Sequence, residues 1–255
     1  METKKVWMGI LGALALSLAA QGAWGASLEL TVSAAASLTN AFPEIGQRFA
    51  QLHPGTKVVF NFAASGPLLQ QIAQGAPVDV FAAADQKTMN QAQEKGLIVP
   101  ESRKNFVSNK LVLIVPQGSQ LALTGPKDLM LPQVKRVAAG NPASVPVGRY
   151  TQEALSRAGL GESVKPKLIL GASVRQVLDY VSRGEVDAGF VFATDAAVAK
   201  GKVKTLAEVQ GHQPIVYPAA LVAASPQKAL GQAFLDFLAG PESVAILSKY
   251  GFGQP

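Results

Sequence analysis

"LELTVSAAASLTNAF", residues 28–42, changes character halfway along. Leu28, Leu30 and Val32 alternate with polar residues, the period of a strand with one face toward a core. Ala34, Ala35, Ala36 and Ser37 then give almost nothing but methyl groups and one hydroxyl. Leu38, Thr39 and Asn40 follow, and the last two are residue types that favour helix starts. Such a junction suits a backbone that turns in a crowded place, or one that something approaches closely.

The theme recurs outward along the chain. A strand ends, small or hydroxyl residues follow and a helix begins at Ser65 ("NFAASGPLLQQI"), at Pro146–Gly148 ("GNPASVPVGRYTQEAL") and at Ser173 ("LGASVRQVL"). Strands are expected at "LELTVSAAA", "KVVFNFA", "PVDVFAAA", "NKLVLIVP", "VKRVAAG", "KLILG" and "DAGFVF". Helical patterns separate most of them: "LTNAFPEIGQRFAQLHPG", "GPLLQQIAQG", "QKTMNQAQEKG", "YTQEALSRAG" and "SVRQVLDYVSRG". Strands spaced by helices imply an α/β fold of mostly parallel sheets with helices on both faces. No flexible Ser/Gly-rich linker interrupts the pattern, so any two lobes must be joined by crossing strands, near Ser108 and near Pro218. That division gives residues 26–108 plus 219–255 to one lobe and 109–218 to the other. "KALGQAFLDFLAGPESVAILSKYGF" then returns as helices onto the first lobe.

Residues 1–25 read as a cleavable secretory signal: Lys4 and Lys5, an uncharged apolar run from Val6 to Ala20, and "AWG" before Ala26. The apolar run is short for a membrane span. The expected location is the periplasm. With no cysteine in an exported chain, neither disulfides nor a lipid on an N-terminal cysteine can be involved, and the core must hold the fold. The formal charge is +6, and loss of Glu2, Lys4 and Lys5 lowers it by one unit. The positive residues are scattered, which points to mild attraction for anions and away from nucleic acid.

Helix N-termini present unpaired N–H groups and a partial positive charge, and so favour anions. Ser37 and Ser65 each add a hydroxyl donor, and Gly66 lets an anion approach the backbone. Each junction alone is equally an ordinary capped βα turn. Four converging on one cleft supply many neutral donors and no acceptor. That set matches a fully deprotonated tetrahedral dianion, because a protonated guest such as hydrogen phosphate needs a carboxylate acceptor. Charge-assisted bonds of about 1.5–3 kcal/mol each can together offset desolvation of the dianion.

"AAASLTNAF", "FAASGPLLQQIAQGAPVDVFAAAD", "GNPASVPVGRYTQEAL" and "SVRQVLDYV" resemble, in order and over nearly the whole mature chain, the periplasmic molybdate-binding components of ABC transporters. The resemblance implies a two-lobed class II periplasmic-binding fold, each lobe a mostly parallel sheet flanked by helices, with the ligand cleft between them. It also implies capture of molybdate, with tungstate beside it, and delivery to a membrane ABC permease. Carried over by position, the ligands are Ser37 and Ser65 of the first lobe and the backbone of Val147 and Val174 of the second. Molybdenum enters only as the oxyanion, no cofactor or bare-cation site is implied, and the expected state is a monomer. Phe192, in "GFVFATDA", stands where family members carry a tyrosine that donates to the anion. That missing donor is worth about 1.5–3 kcal/mol if nothing replaces it. Thr194 or a water is the expected substitute, and sulfate remains an alternative ligand.

Other polar residues are assigned bland roles. Asp85 and Asp195 precede helical runs and read as N-caps. Arg149 and Arg175 read as solvent-facing residues at the cleft rim. His53 and His212 have no metal-ligand partners at useful spacing, and Tyr150, Tyr180, Tyr217 and Tyr250 read as packing residues. A secreted serine hydrolase would need an activated nucleophile, yet the G-x-S-x-G elbow is absent and neither histidine is tied to Ser37 or Ser65. The chain reads as a binder and not an enzyme.

Overall fold

A computed structural model describes residues 28–255, so the expected signal segment lies outside the described residues. Strand β1 (Leu28–Ala35) turns its alternate residues Leu30, Val32 and Ala34 fully into the core. The quoted stretch then tightens into a 3-10 turn (Ala36–Leu38) before helix α1 (Phe42–Leu52), which has Pro43 in its first turn. The helix is therefore shorter than the pattern suggested. Phe42, Ile45 and Phe49, one helical face, are completely buried. β2 (Thr56–Ala63), α2 (Ser65–Ala73), β3 (Val80–Ala82) and α3 (Gln86–Glu94) complete two further strand–helix steps. β1 pairs in parallel with β2 on one side and β3 on the other.

The chain then leaves the first sheet. β4 (Lys104–Asn109) and β5 (Leu111–Pro116) are separated by Lys110 alone, and β5 opens the second sheet. There follow β6 (Val137–Gly140), α4 (Pro146–Arg157), the short α5 (Gly161–Val164), β7 (Leu168–Gly171) and α6 (Val174–Ser182). β8 (Ala188–Phe192), α7 (Ala193–Val198) and β9 (Val203–Glu208) close the second lobe. β10 (Ile215–Leu221) belongs to the first sheet, and α8 (Lys228–Leu238) and α9 (Pro241–Lys249) pack back on that lobe. The second crossing thus lies before Ile215, not near Pro218. Pro218 sits inside β10, and pairing with β4 slips between Tyr217 and Pro218, where the ladder loses a donor.

The two sheets have matching plans, β2-β1-β3-β10-β4 and β7-β6-β8-β5-β9. In each, three parallel strands carry helical crossovers and two antiparallel strands complete the sheet. β3 shows why both faces need cover. Val80 and Ala82 join the core under α1 and α8, while Phe81 joins Leu68, Ile72 and Met89 under α2 and α3. Full burial of a side chain such as Phe42 or Phe234 stabilises by about 1.5–3 kcal/mol each, and their rings meet edge to face at 6.4 Å. Among the described residues no helix is long and apolar enough to cross a membrane.

Candidate functional site

Register brings the first two serines together. Ala35 of β1 and Ala63 of β2 are direct partners, and Ser37 and Ser65 each lie two residues beyond, at the carboxyl ends of adjacent strands. Neighbouring strands run about 4.8 Å apart. Both serines are buried, Ser37 in the 3-10 turn and Ser65 as the first residue of α2. The Ser65 hydroxyl oxygen accepts the Ala84 N–H at 3.0 Å, so its own proton is left to give.

The second lobe repeats the arrangement. Gly140 of β6 and Gly171 of β7 are partners, and the helices that follow them are α4 and α6. Val147 is the second residue of α4, after a proline that has no N–H. A Cβ on Gly148 would run into the Gly140 carbonyl, so only glycine lets this helix start seat against the strand end. α4 begins at Pro146, as the Pro146–Gly148 junction implied and four residues ahead of the helical run from Tyr150, and the N–H groups of Gly148 and Arg149 both go to the Val145 carbonyl. Val174 is the first residue of α6, whose Ser173 cap accepts from Gln176 N–H. Val147 and Val174 are both buried.

The two pairs of junctions face each other across the cleft. Gly66 donates its N–H to the Ser144 carbonyl at 3.0 Å, joining the start of α2 to the loop before α4. This amide was expected to face an anion. Its glycine serves the lobe contact instead, since a Cβ there would collide with the Ser144 carbonyl. Arg175 reaches from α6 toward the Ser37 carbonyl at 3.5 Å. Arg149 crosses from α4 to donate to Asp85 at 2.6 Å and to Thr88 Oγ1 at 2.8 Å. Ser37, Ser65, Val147 and Val174 are therefore gathered at one closed seam.

Neither arginine is a free rim residue, because each has a buried carboxylate beside it. The side chains of Arg149 and Asp85 are only 15% and 5% exposed. Asp85 is the N-cap of α3, as its position implied, and accepts the Thr88 N–H. Asp195 differs from expectation. It lies in the first turn of α7 and not at its cap, completely buried, 2.7 Å from Arg175 Nε in an ion pair too poorly aligned to be a hydrogen bond. Burial pushes its carboxyl up to about 6, against the opposing pull of Arg175.

Phe192 ends β8 with its ring fully enclosed, edge-on to Tyr217 at 5.8 Å and to Tyr150 at 6.3 Å. The polar group beside it is Tyr217, assigned above to packing alone. Tyr217 Oη lies 2.9 Å from Ser37 Oγ and accepts from Asn109 Nδ2 at 3.3 Å. Burial, then the Asp195 charge, raises the Tyr217 hydroxyl well above its ordinary range, so it keeps its proton. Thr194 is buried as well and accepts from the same Asn109 amide at 2.9 Å. A strand reading of "IVYPAAL" would have placed Tyr217 at the sheet end; the bond to Ser37 spans 180 positions and has no local signature.

His53 stacks on Phe49 and caps α1, while His212 bonds the Val209 and Gln213 carbonyls. Among the described residues no group of three His, Cys, Asp or Glu is placed to hold a metal ion. The seam instead combines uncharged donors with two internally neutralised ion pairs.

Residues 30–253 match the family described as bacterial extracellular solute-binding protein. The Haemophilus influenzae molybdate-binding protein ModA is 38% identical over 244 residues, covering 93% of this chain and 95% of that protein. The Escherichia coli ModA is 37% identical over 257 residues, covering 96% and 97%. Among solved structures, the Azotobacter vinelandii periplasmic molybdate-binding protein superposes with a TM-score of 0.78 at 28% identity, covering 89% and 99%.

Proposed function

Because the chain belongs to the bacterial extracellular solute-binding proteins and, within them, to the molybdate-binding proteins, we propose that it captures a tetrahedral oxyanion in the periplasm for a membrane ABC permease. Molybdate is the assigned ligand, with tungstate accepted beside it. One observation carries the reading: the Gly66–Ser144 bond sets the paired junctions after Ala35 and Ala63 against those after Gly140 and Gly171 at one seam. Ser37 and Ser65 give hydroxyl protons from the first lobe, and the Val147 and Val174 amides give N–H groups from the second. Thr194 stands near the position where Phe192 lacks a donor.

Capture proceeds by closure. The anion docks on the serines, and the second lobe swings about the two crossings to add its amides. Gly66–Ser144 and Arg149–Asp85 then hold the lobes together, and the permease reads that closed form. The protein acts as a binder: no general base accompanies either serine, and Ser65 Oγ already accepts a backbone N–H.

Asp195 favours a second reading, a protonated guest such as hydrogen phosphate, since a buried carboxylate can accept a proton-bearing oxygen. Arg175 stands against that reading by occupying the carboxylate. The deciding experiment is isothermal titration of Ser37→Ala combined with Ser65→Ala. Losing two charge-assisted donors should weaken molybdate binding by about two orders of magnitude or more with the fold intact. Unchanged affinity refutes the assignment.

A further inference from the structure

Hydrogen bonds around Asn109 run in one direction. Asn109 ends β4 at the first crossing, and its Oδ1 accepts the Lys110 N–H at 2.9 Å. A backbone amide can only donate, so the Asn109 side chain has one orientation, with Nδ2 facing Tyr217 and Thr194. Tyr217 has a single proton and now has a lone pair filled. Its own proton still needs an acceptor, and Ser37 Oγ lies 2.9 Å away. Once Tyr217 donates there, the Ser37 proton must point elsewhere. Thr194 receives the second Nδ2 proton and is biased the same way.

We propose that Asn109 and Tyr217 are positioning residues for oxyanion recognition: a relay from Asn109 through Tyr217 to Ser37 fixes the Ser37 hydroxyl as a donor, and Asn109 does the same for Thr194. The inference rests on the oxyanion reading above and names what sets its selectivity. Chained donors polarise one another, so the last proton is a stronger donor than an isolated serine would offer. A guest oxygen carrying its own proton meets hydroxyls whose single protons already point at it, and so gains less here than an oxygen that only accepts. Ser65 is held in the same sense by the Ala84 N–H, through backbone that substitution cannot easily remove. The relay also places a hydroxyl beside the Phe192 ring, where the family pattern has one on residue 192 itself.

The test compares molybdate with hydrogen phosphate at pH 8, where both are dianions and only phosphate carries a proton. Dissociation constants of the wild type, Tyr217→Phe and Asn109→Ser are measured by titration, with thermal midpoints of the unliganded proteins alongside. In Tyr217→Phe the freed Ser37 lone pair can turn to accept. Molybdate binding should weaken about tenfold or more, phosphate binding should weaken less or strengthen, and the preference for molybdate should shrink. Asn109→Ser should shift the preference in the same direction, which keeps the test valid if one variant folds poorly. Parallel weakening toward both anions, or an unchanged ratio, overturns the relay and leaves the functional reading standing. A wild type that binds no oxyanion overturns that reading and the relay with it.

Discussion

A hydroxyl has one proton and two lone pairs, and what surrounds it decides which of these a ligand meets. Ser65 Oγ is fixed by the Ala84 N–H, which leaves its proton to give, and the proposed relay from Tyr217 Oη, 2.9 Å from Ser37 Oγ, does the same for Ser37. Asp195 is the opposing residue, a carboxylate with no access to water. Its pKa is raised to about 6 from an ordinary 3.8, chiefly by burial, so the folded state holds its proton over a range where the unfolded chain has lost it. The stability this proton confers is complete below about pH 4 and is lost as pH rises through 6. Asp195→Asn removes that dependence. Its melting temperature minus that of the wild type should climb between pH 4 and pH 7, measured by thermal denaturation. A constant difference means that the carboxyl is not shifted. Ser37 and Ser65 were legible as site candidates because strand, small residues and helix follow one another locally. Tyr217, Asn109 and the Arg175–Asp195 pair were not, since those contacts come from tertiary pairing between distant segments.

Elements whose sequence carries a strong apolar period were readable, and those with polar, weakly alternating sequences were not. β1, β2, β3 and β6 to β8, with α1 to α4 and α6, all lie close to where their patterns put them. β4 ("KNFVSN") and β9 ("VKTLAE") are edge strands with half-exposed, polar sequences that leave little alternation to detect. β10 was expected only as a crossing strand near Pro218, without bounds, because the proline within it reads as a breaker. In the proposed function helix starts carry the recognition chemistry, and glycine decides how near two of them come. At Gly66 the start of α2 meets the Ser144 carbonyl of the other lobe. Gly66→Ala puts a methyl group into that contact and should hold the lobes apart. The expected result is molybdate affinity reduced about tenfold or more, with an unliganded melting temperature close to wild type, because the open lobes do not share the clash. Wild-type affinity in a calorimetric titration of this variant would mean that the α2–loop contact does not accompany binding.

At the scale of the molecule, two sheets of the same plan are joined by short crossings, and their ligand-facing ends are set against each other. The seam holds two ion pairs, Arg149–Asp85 between the lobes and Arg175–Asp195 within the second. Each cancels its own charge. On the proposed reading a dianion at the seam is bound by oriented neutral groups, which act strongly where water is excluded. The α/β layering followed from the order of strands and helices, and the two-lobed plan from the family resemblance. The closed arrangement did not, because contacts such as Arg149 with Thr88 depend on how the lobes are turned. The claim on which all of this rests is that donors without a free acceptor enclose one fully deprotonated tetrahedral anion. Competition calorimetry of the wild-type protein with molybdate, tungstate, sulfate and hydrogen phosphate addresses it directly. The account predicts one saturable site that takes molybdate and tungstate and that hydrogen phosphate does not displace at equal concentration; phosphate competing on equal terms with molybdate would contradict it.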